Sequence, residues 1–308
     1  MLCEALPQFE NSDRSSCLAS VRIGGVSLRI ASSAPEQLAL DSNLLKFASN
    51  SEAAEIQLEA DWCGHLGPLP GAPAFDSGAA WKLFREGNEF LFDFASSALG
   101  SVPYKRMTAT ADFGQVSITL NQELLHGQST VYPLEYPADE LIFTNYLAGH
   151  GLGVEVHACG VVDSEGGAYL FLGHSGAGKS TTARLWHTLR GAEILSDDRI
   201  ILRLHDEELW MYGTPWHGDG QFASPGKGKV KRIFILQHGT ENKFAALSKP
   251  RAVGELFARC FPPFHNPQGL ERTIEFLNLV AAVAPCYTFD FTPDSLALDA
   301  ALGFVGWL

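Results

Sequence analysis

Eight consecutive residues, Gly173-His-Ser-Gly-Ala-Gly-Lys-Ser180, match the pattern G-x-x-x-x-G-K-[ST] at every fixed position. Gly173, Gly176 and Gly178 allow backbone conformations closed to other residues and a close approach to a ligand. The N–H groups of such a loop, here from Ser175 and Ala177 through Thr181, form an anion nest. The positive end of the following helix points at the same place. The ligand that suits this chemistry is ATP, with Lys179 on its β/γ-phosphates and the Ser180 hydroxyl on Mg²⁺.

A second pair of reactive residues follows closely. Ser196-Asp197-Asp198-Arg199 interrupts an apolar run over residues 194–204. Adjacent carboxylates in a hydrophobic strand are costly unless a cation or a proton-transfer role compensates them. Neighbours along a strand face opposite ways, so the two aspartates have different tasks. One holds Mg²⁺ and the other faces an attacking group.

His157 in GVEVHACGVV, the loop GHSGAGKS and the strand LSDDRII occur in an order and spacing that resemble the catalytic domain of HPr kinase/phosphorylase and its relatives. Those relatives include kinases that modify lasso peptides. The resemblance covers roughly residues 140–235. It implies Ser180 as metal ligand and Asp197 as the base that accepts the acceptor's proton, with His157 nearby to tune it; Asp198 is then the carboxylate expected to assist the metal. The family's M-E-[IV]-R-G-like segment has no counterpart in Leu209-Trp-Met-Tyr-Gly213, so efficient phosphorylation of HPr is not expected. The loop that follows, residues 213–220, offers His217 and Asp219 as acceptor-side candidates.

Several elements must position these residues. Residues 169–172 read as a buried strand leading into the loop. A helix from Lys179 to Arg190 follows, with Ala183, Trp186 and Leu189 inward and Gly191 as its stop. Residues 154–162 form the strand that carries His157 and pair as a hairpin with the strand before the loop. Cys159 lies two residues on, as a packing residue. Residues 137–150 read as a helix, as do 251–261 and 269–284, and residues 287–291 as a last strand. Arg259 either points at transferred phosphate or caps its helix. The run Lys227-Gly-Lys-Val-Lys-Arg232 is either a lure for an acidic acceptor or a solvated turn before the buried strand 233–236.

Upstream lies a series of strand-like runs: a hairpin over 18–31 turning at Gly24-Gly25, then 54–61, 80–85, 89–96, 104–112 and 115–120. These predict an antiparallel β-rich domain over residues 1–136, ahead of a kinase-like domain over 137–308. The fold class is therefore mixed α+β and α/β. Asp61, His65 and Asp93 read as surface or turn residues. The N-terminal domain is expected to serve as a peptide-binding wing or as the surface of a homo-oligomer.

Composition narrows the partners. The 308 residues are 46% hydrophobic and 19% charged, ordinary for a globular protein, with a net charge of −13. Residues 1–150 hold 8 Lys and Arg against 18 Asp and Glu, and residues 151–308 hold 14 against 17. So acidic an N-terminal half argues against nucleic acid or an anionic membrane as partner. Six scattered cysteines without C-x-x-C spacing indicate reduced thiols, and no targeting or membrane-spanning segment is read, so the cytoplasm is the expected location. These readings predict an ATP- and Mg²⁺-dependent kinase acting on a hydroxyl of a peptide, protein or small molecule. The competing expectations are a nucleotide-binding regulatory or scaffold protein and a simple ATPase.

Overall fold

The computed structural model describes residues 16–303 except 52 and 79. It is a mixed α/β protein built on two eight-stranded sheets. Two compact units divide between Tyr146 and Leu147, with the turn Ile23–Gly25 grouped with the second. The division falls inside the helix that the sequence pattern assigns whole to the second domain.

The first unit contains β1 (Ser16–Ile23), β2 (Val26–Ser32), α1 (Ser42–Leu45), β3 (Ile56–Cys63), β4 (Phe75–Asp76), β5 (Trp81–Glu86), β6 (Glu89–Ser96), β7 (Gly100–Ala109), β8 (Gln115–Asn121) and α2 (Gln122–Leu125). The helix α3 (Ala138–Gly149) leads out of it. Its sheet order is β1-β2-β3-β8-β7-β6-β5-β4. The sheet is mixed rather than antiparallel, because β3 runs parallel to both β2 and β8. The long loop after β3 lets β8 return beside it in the same direction, an arrangement that local alternation does not encode. Asp93 is also not a surface residue. It is buried, and its two oxygens accept from Arg106 Nε and Nη2, the latter also donating to the Gly67 carbonyl of that loop.

The second unit continues with β9 (Gly153–Val162), β10 (Ala168–Leu172), α4 (Lys179–Arg190), β11 (Glu193–Ser196), β12 (Arg199–His205), β13 (Glu208–Tyr212), β14 (Lys227–His238), β15 (Lys243–Ala246), α5 (Lys249–Phe257), α6 (Pro267–Val283), β16 (Cys286–Phe291) and α7 (Ser295–Gly303). β9 and β14 are long and change partners along their length. β9 pairs with β12 up to His157 and with β10 and β11 from Ala158 onward. β14 pairs with β13 over its first residues, then runs parallel to β10 and β16. The cationic run 227–232 is thus the first half of a strand, not a turn: Lys227, Lys229 and Lys231 face out while Gly228 and Val230 face in.

Alternation on β10 feeds two cores. Leu170 and Leu172 join Ile200, Leu256 and Leu277 on the side of α5 and α6. Tyr169 and Phe171 join Trp186, Phe289 and Leu298 on the side of α4 and α7. The loop that follows β10 therefore sits on a strand clamped from both faces. No helix of the described residues is long and apolar enough to cross a membrane.

Candidate active site

The glycine-rich loop leaves β10 at Leu172 and becomes helix at Lys179. Gly176 and Gly178 have φ of 80° and 105°, and Gly178 is the N-cap of α4. At Gly173 a Cβ would come within 2.7 Å of the Ala177 Cβ, so the loop closes only on glycine. α4 ends at Gly191 in the left-handed conformation, whose N–H returns to the His187 carbonyl. Its inward face is Ala183 and Trp186. Leu189, expected inward, is 51% exposed, because the interface with the sheet is narrow and takes only one stripe of this helix.

Lys179 is buried, its Nζ 3.0 Å from the Gly173 carbonyl and 3.2 Å from that of His174. Burial, aided by the nearby Arg199 charge, lowers its pKa against the opposing pull of Asp198 and Asp197. The amine is thereby aimed into the loop that the glycines create.

Three strands bring the other residues to this loop. His157 sits where β9 changes partners: it stands opposite Arg199 of β12, and its neighbour Ala158 stands opposite Leu172 of β10. β11 and β12 pair with successive stretches of β9, and the two aspartates fall in the gap between them. The Ser196 hydroxyl shapes that gap. It accepts from the N–H groups of Asp198 and Arg199 and donates to the Trp216 carbonyl.

The two carboxylates then part. Asp197 is 1% exposed and accepts from the Ser180 hydroxyl at 2.9 Å. It also accepts from the backbone N–H groups of Gly218 at 3.1 Å, Gly220 at 2.8 Å and Phe222 at 3.4 Å. Asp198 lies in the cleft, accepting from His157 Nε2 at 2.9 Å, with Arg199 Nε 3.3 Å away. Burial raises its pKa, but the His157 hydrogen bond and the Arg199 charge outweigh this and hold Asp198 below the ordinary 3.8. Arg199 is itself fixed, 3.7 Å over the Phe261 ring and 3.6 Å from the buried Glu155.

Gly218 and Gly220 are site residues that sequence reasoning passed over. A Cβ at Gly220 would fall 2.6 Å from Asp197 Oδ2, so the loop's amides reach the carboxylate only because no side chain intervenes. Their signal in the sequence is Gly218-Asp219-Gly220, where the glycines and not the polar residues beside them meet the carboxylate. Asp219 does line the cleft, while His217 lies at the foot of the loop with Nδ1 3.0 Å from the Gly218 carbonyl. Arg259 is buried against Glu255 at the end of α5, and its carbonyl accepts from the His157 N–H. Cys159 is fully buried, and burial followed by the charge of Asp197 pushes its thiol up, which keeps it protonated and packed.

The resulting open cleft of about 410 Å³ is lined by His157, Asp198, the loop and first turn of α4, Arg184 and the 218–219 segment. Ser180 lines the cleft and the buried Asp197 lies directly behind it, two hard oxygen donors that suit Mg²⁺, which is usually held by one or two carboxylates together with substrate phosphates. Among the described residues, no group of three or more His, Cys, Asp or Glu gathers to hold a metal.

No family model matches the chain, and no curated protein matches it. Among solved structures it is similar to the Hpr(Ser) kinase/phosphatase from Coxiella burnetii, with 13% identity and a TM-score of 0.30 over 48% of this chain and 93% of that one. The reading of the cleft rests on its own residues.

Proposed function

We propose that the protein is an ATP-dependent phosphotransferase that moves the γ-phosphoryl group to a hydroxyl of a peptide, protein or small molecule. One observation carries this reading: two differently equipped carboxylates, Asp197 beside Ser180 and Asp198 beside His157, meet at the same glycine-rich loop. A site that only held nucleotide has no need of the second pair.

The loop amides and Lys179 hold the phosphates, and Ser180 with Asp197 holds Mg²⁺. That ion supplies charge neutralisation at the β- and γ-phosphates when bound. Asp198 faces the acceptor. It takes the hydroxyl proton as the new O–P bond forms and the bond to the β-phosphate oxygen breaks, with ADP as leaving group. His157 and Arg199 orient that carboxylate and keep it ionised. These parts exchange the two aspartates relative to the sequence expectation. Asp197 has both oxygens engaged by the serine and by backbone amides, whereas Asp198 opens on the cleft.

The test is Asp198→Asn beside Asp197→Asn. Asp198→Asn is expected to bind Mg·ATP with near wild-type affinity in calorimetry, and to lose about 10²–10⁴-fold in transfer from γ-labelled ATP to an acceptor supplied by cell extract. Asp197→Asn is expected to raise the Mg²⁺ concentration needed. Full transfer by Asp198→Asn, or a rate loss confined to Asp197→Asn at saturating Mg²⁺, would sink the assignment. Hydrolysis of ATP with no labelled acceptor would make the protein an ATPase.

A further inference from the structure

The positive charges around the cleft are mostly committed. Lys179 donates into its own loop, Arg199 is sandwiched by Phe261, Glu155 and Asp198, and Arg259 is held by Glu255. Arg184 differs. It lines the cleft, is exposed, and its one hydrogen bond among the described residues is a long one, 3.3 Å, from Nη2 to the Asp219 carbonyl.

Its position on α4 says where the rest of the guanidinium reaches. Arg184 follows Ser180 by four residues, so both side chains lie on one face of the helix. Side chains of a helix lean toward its N-terminus, which here carries the side chain back over Ser180 and the mouth of the glycine-rich loop. A triphosphate bound there brings several negative charges to a site that already contains Asp197 and Asp198. Arginine presents five donors in a planar fork suited to phosphate oxygens.

We propose that Arg184 binds the γ-phosphoryl group, a catalytic arginine supplied by the same chain from the second turn of its own phosphate-binding helix. This rests on the nucleotide reading above and adds the residue that distinguishes the triphosphate from the diphosphate. The Asp219 carbonyl parks one arm of the fork, so Arg184 also ties the 218–220 loop to the position of the phosphates.

The experiment compares full-length wild type, Arg184→Ala and Arg184→Lys by calorimetry with Mg·ADP and with Mg and adenylyl imidodiphosphate, so no acceptor is needed. Arg184→Ala is expected to weaken the triphosphate analogue by about tenfold or more while leaving ADP nearly unchanged, as the loss of a charge-assisted contact predicts. Arg184→Lys keeps the charge without the fork and is expected to fall between. Equal weakening of both nucleotides, or weakening of neither, would overturn the proposal. If wild type itself binds neither nucleotide, it is the nucleotide reading that fails, and the inference falls with it.

Discussion

At the scale of single residues, the site's electrostatics are concentrated in Asp198. Its carboxylate is held below its ordinary value of 3.8 by the His157 hydrogen bond and the Arg199 charge, which outweigh burial. A carboxylate whose folded pKa is depressed contributes stability that is present above its unfolded value and lost as pH falls through the lower folded value. Wild type therefore has this contribution at neutral pH, whereas Asp198→Asn never has it. Urea unfolding between about pH 2 and pH 5 is expected to show the stability gap between the two proteins narrowing as the pH drops below the carboxylate range. A gap that stays constant would mean that the ionised carboxylate is not stabilised by these neighbours.

At the scale of elements, α4 shows what a sequence reveals and what it withholds. Its start, its stop at Gly191 and its inward Ala183 and Trp186 were all legible, because caps and helical periodicity are local. Leu189 was misread because periodicity does not say how wide the receiving surface is. Trp186 is 1% exposed and stacks on Tyr169 with ring centroids 5.5 Å apart, so Trp186→Ala is expected to cost about 3–5 kcal/mol in chemical denaturation. Leu189→Ala is expected to change stability by no more than about 0.5 kcal/mol. Similar costs for the two variants would contradict the packing described for this helix. The glycine loop, His157 and the aspartate pair were likewise legible as motifs. The different surroundings of the two carboxylates were not, since they depend on amides contributed by residues 218–222, more distant in the chain. The parallel pairing of β3 with β2 and β8 was hidden for the same reason, as were β15 and α7.

At the scale of the molecule, the cleft belongs to one of two compact units, and its strand β10 lies between the two cores of that unit. Ligand bound to the folded cleft and not to the unfolded chain must stabilise that unit by mass action. Mg·ATP at about a hundredfold excess over its dissociation constant is expected to add about 2.7 kcal/mol, seen as a rise in the thermal midpoint. Lys179→Ala is expected to lose most of that rise while melting near wild type without ligand. An unchanged rise in the variant would place the nucleotide elsewhere. The charge asymmetry of the chain was legible from composition, but the two sheets were not. The order of the first depends on the parallel pairing of β3 with β2 and β8, and that of the second on β9 and β14 changing partners midway, which no single segment announces.

The grip of the 218–222 segment on Asp197 bears on how such a protein diverges. Main-chain amides are indifferent to the side chains beside them. Gly218 and Gly220 are fixed by the space next to the carboxylate, but the side chain between them, Asp219, is under no such demand. Heritable variation at that position can remodel the rim of the cleft while the buried carboxylate of Asp197 stays where it is. The segment thus joins a main-chain part that fixes the carboxylate to a side-chain position, Asp219, that can vary at the cleft without moving it.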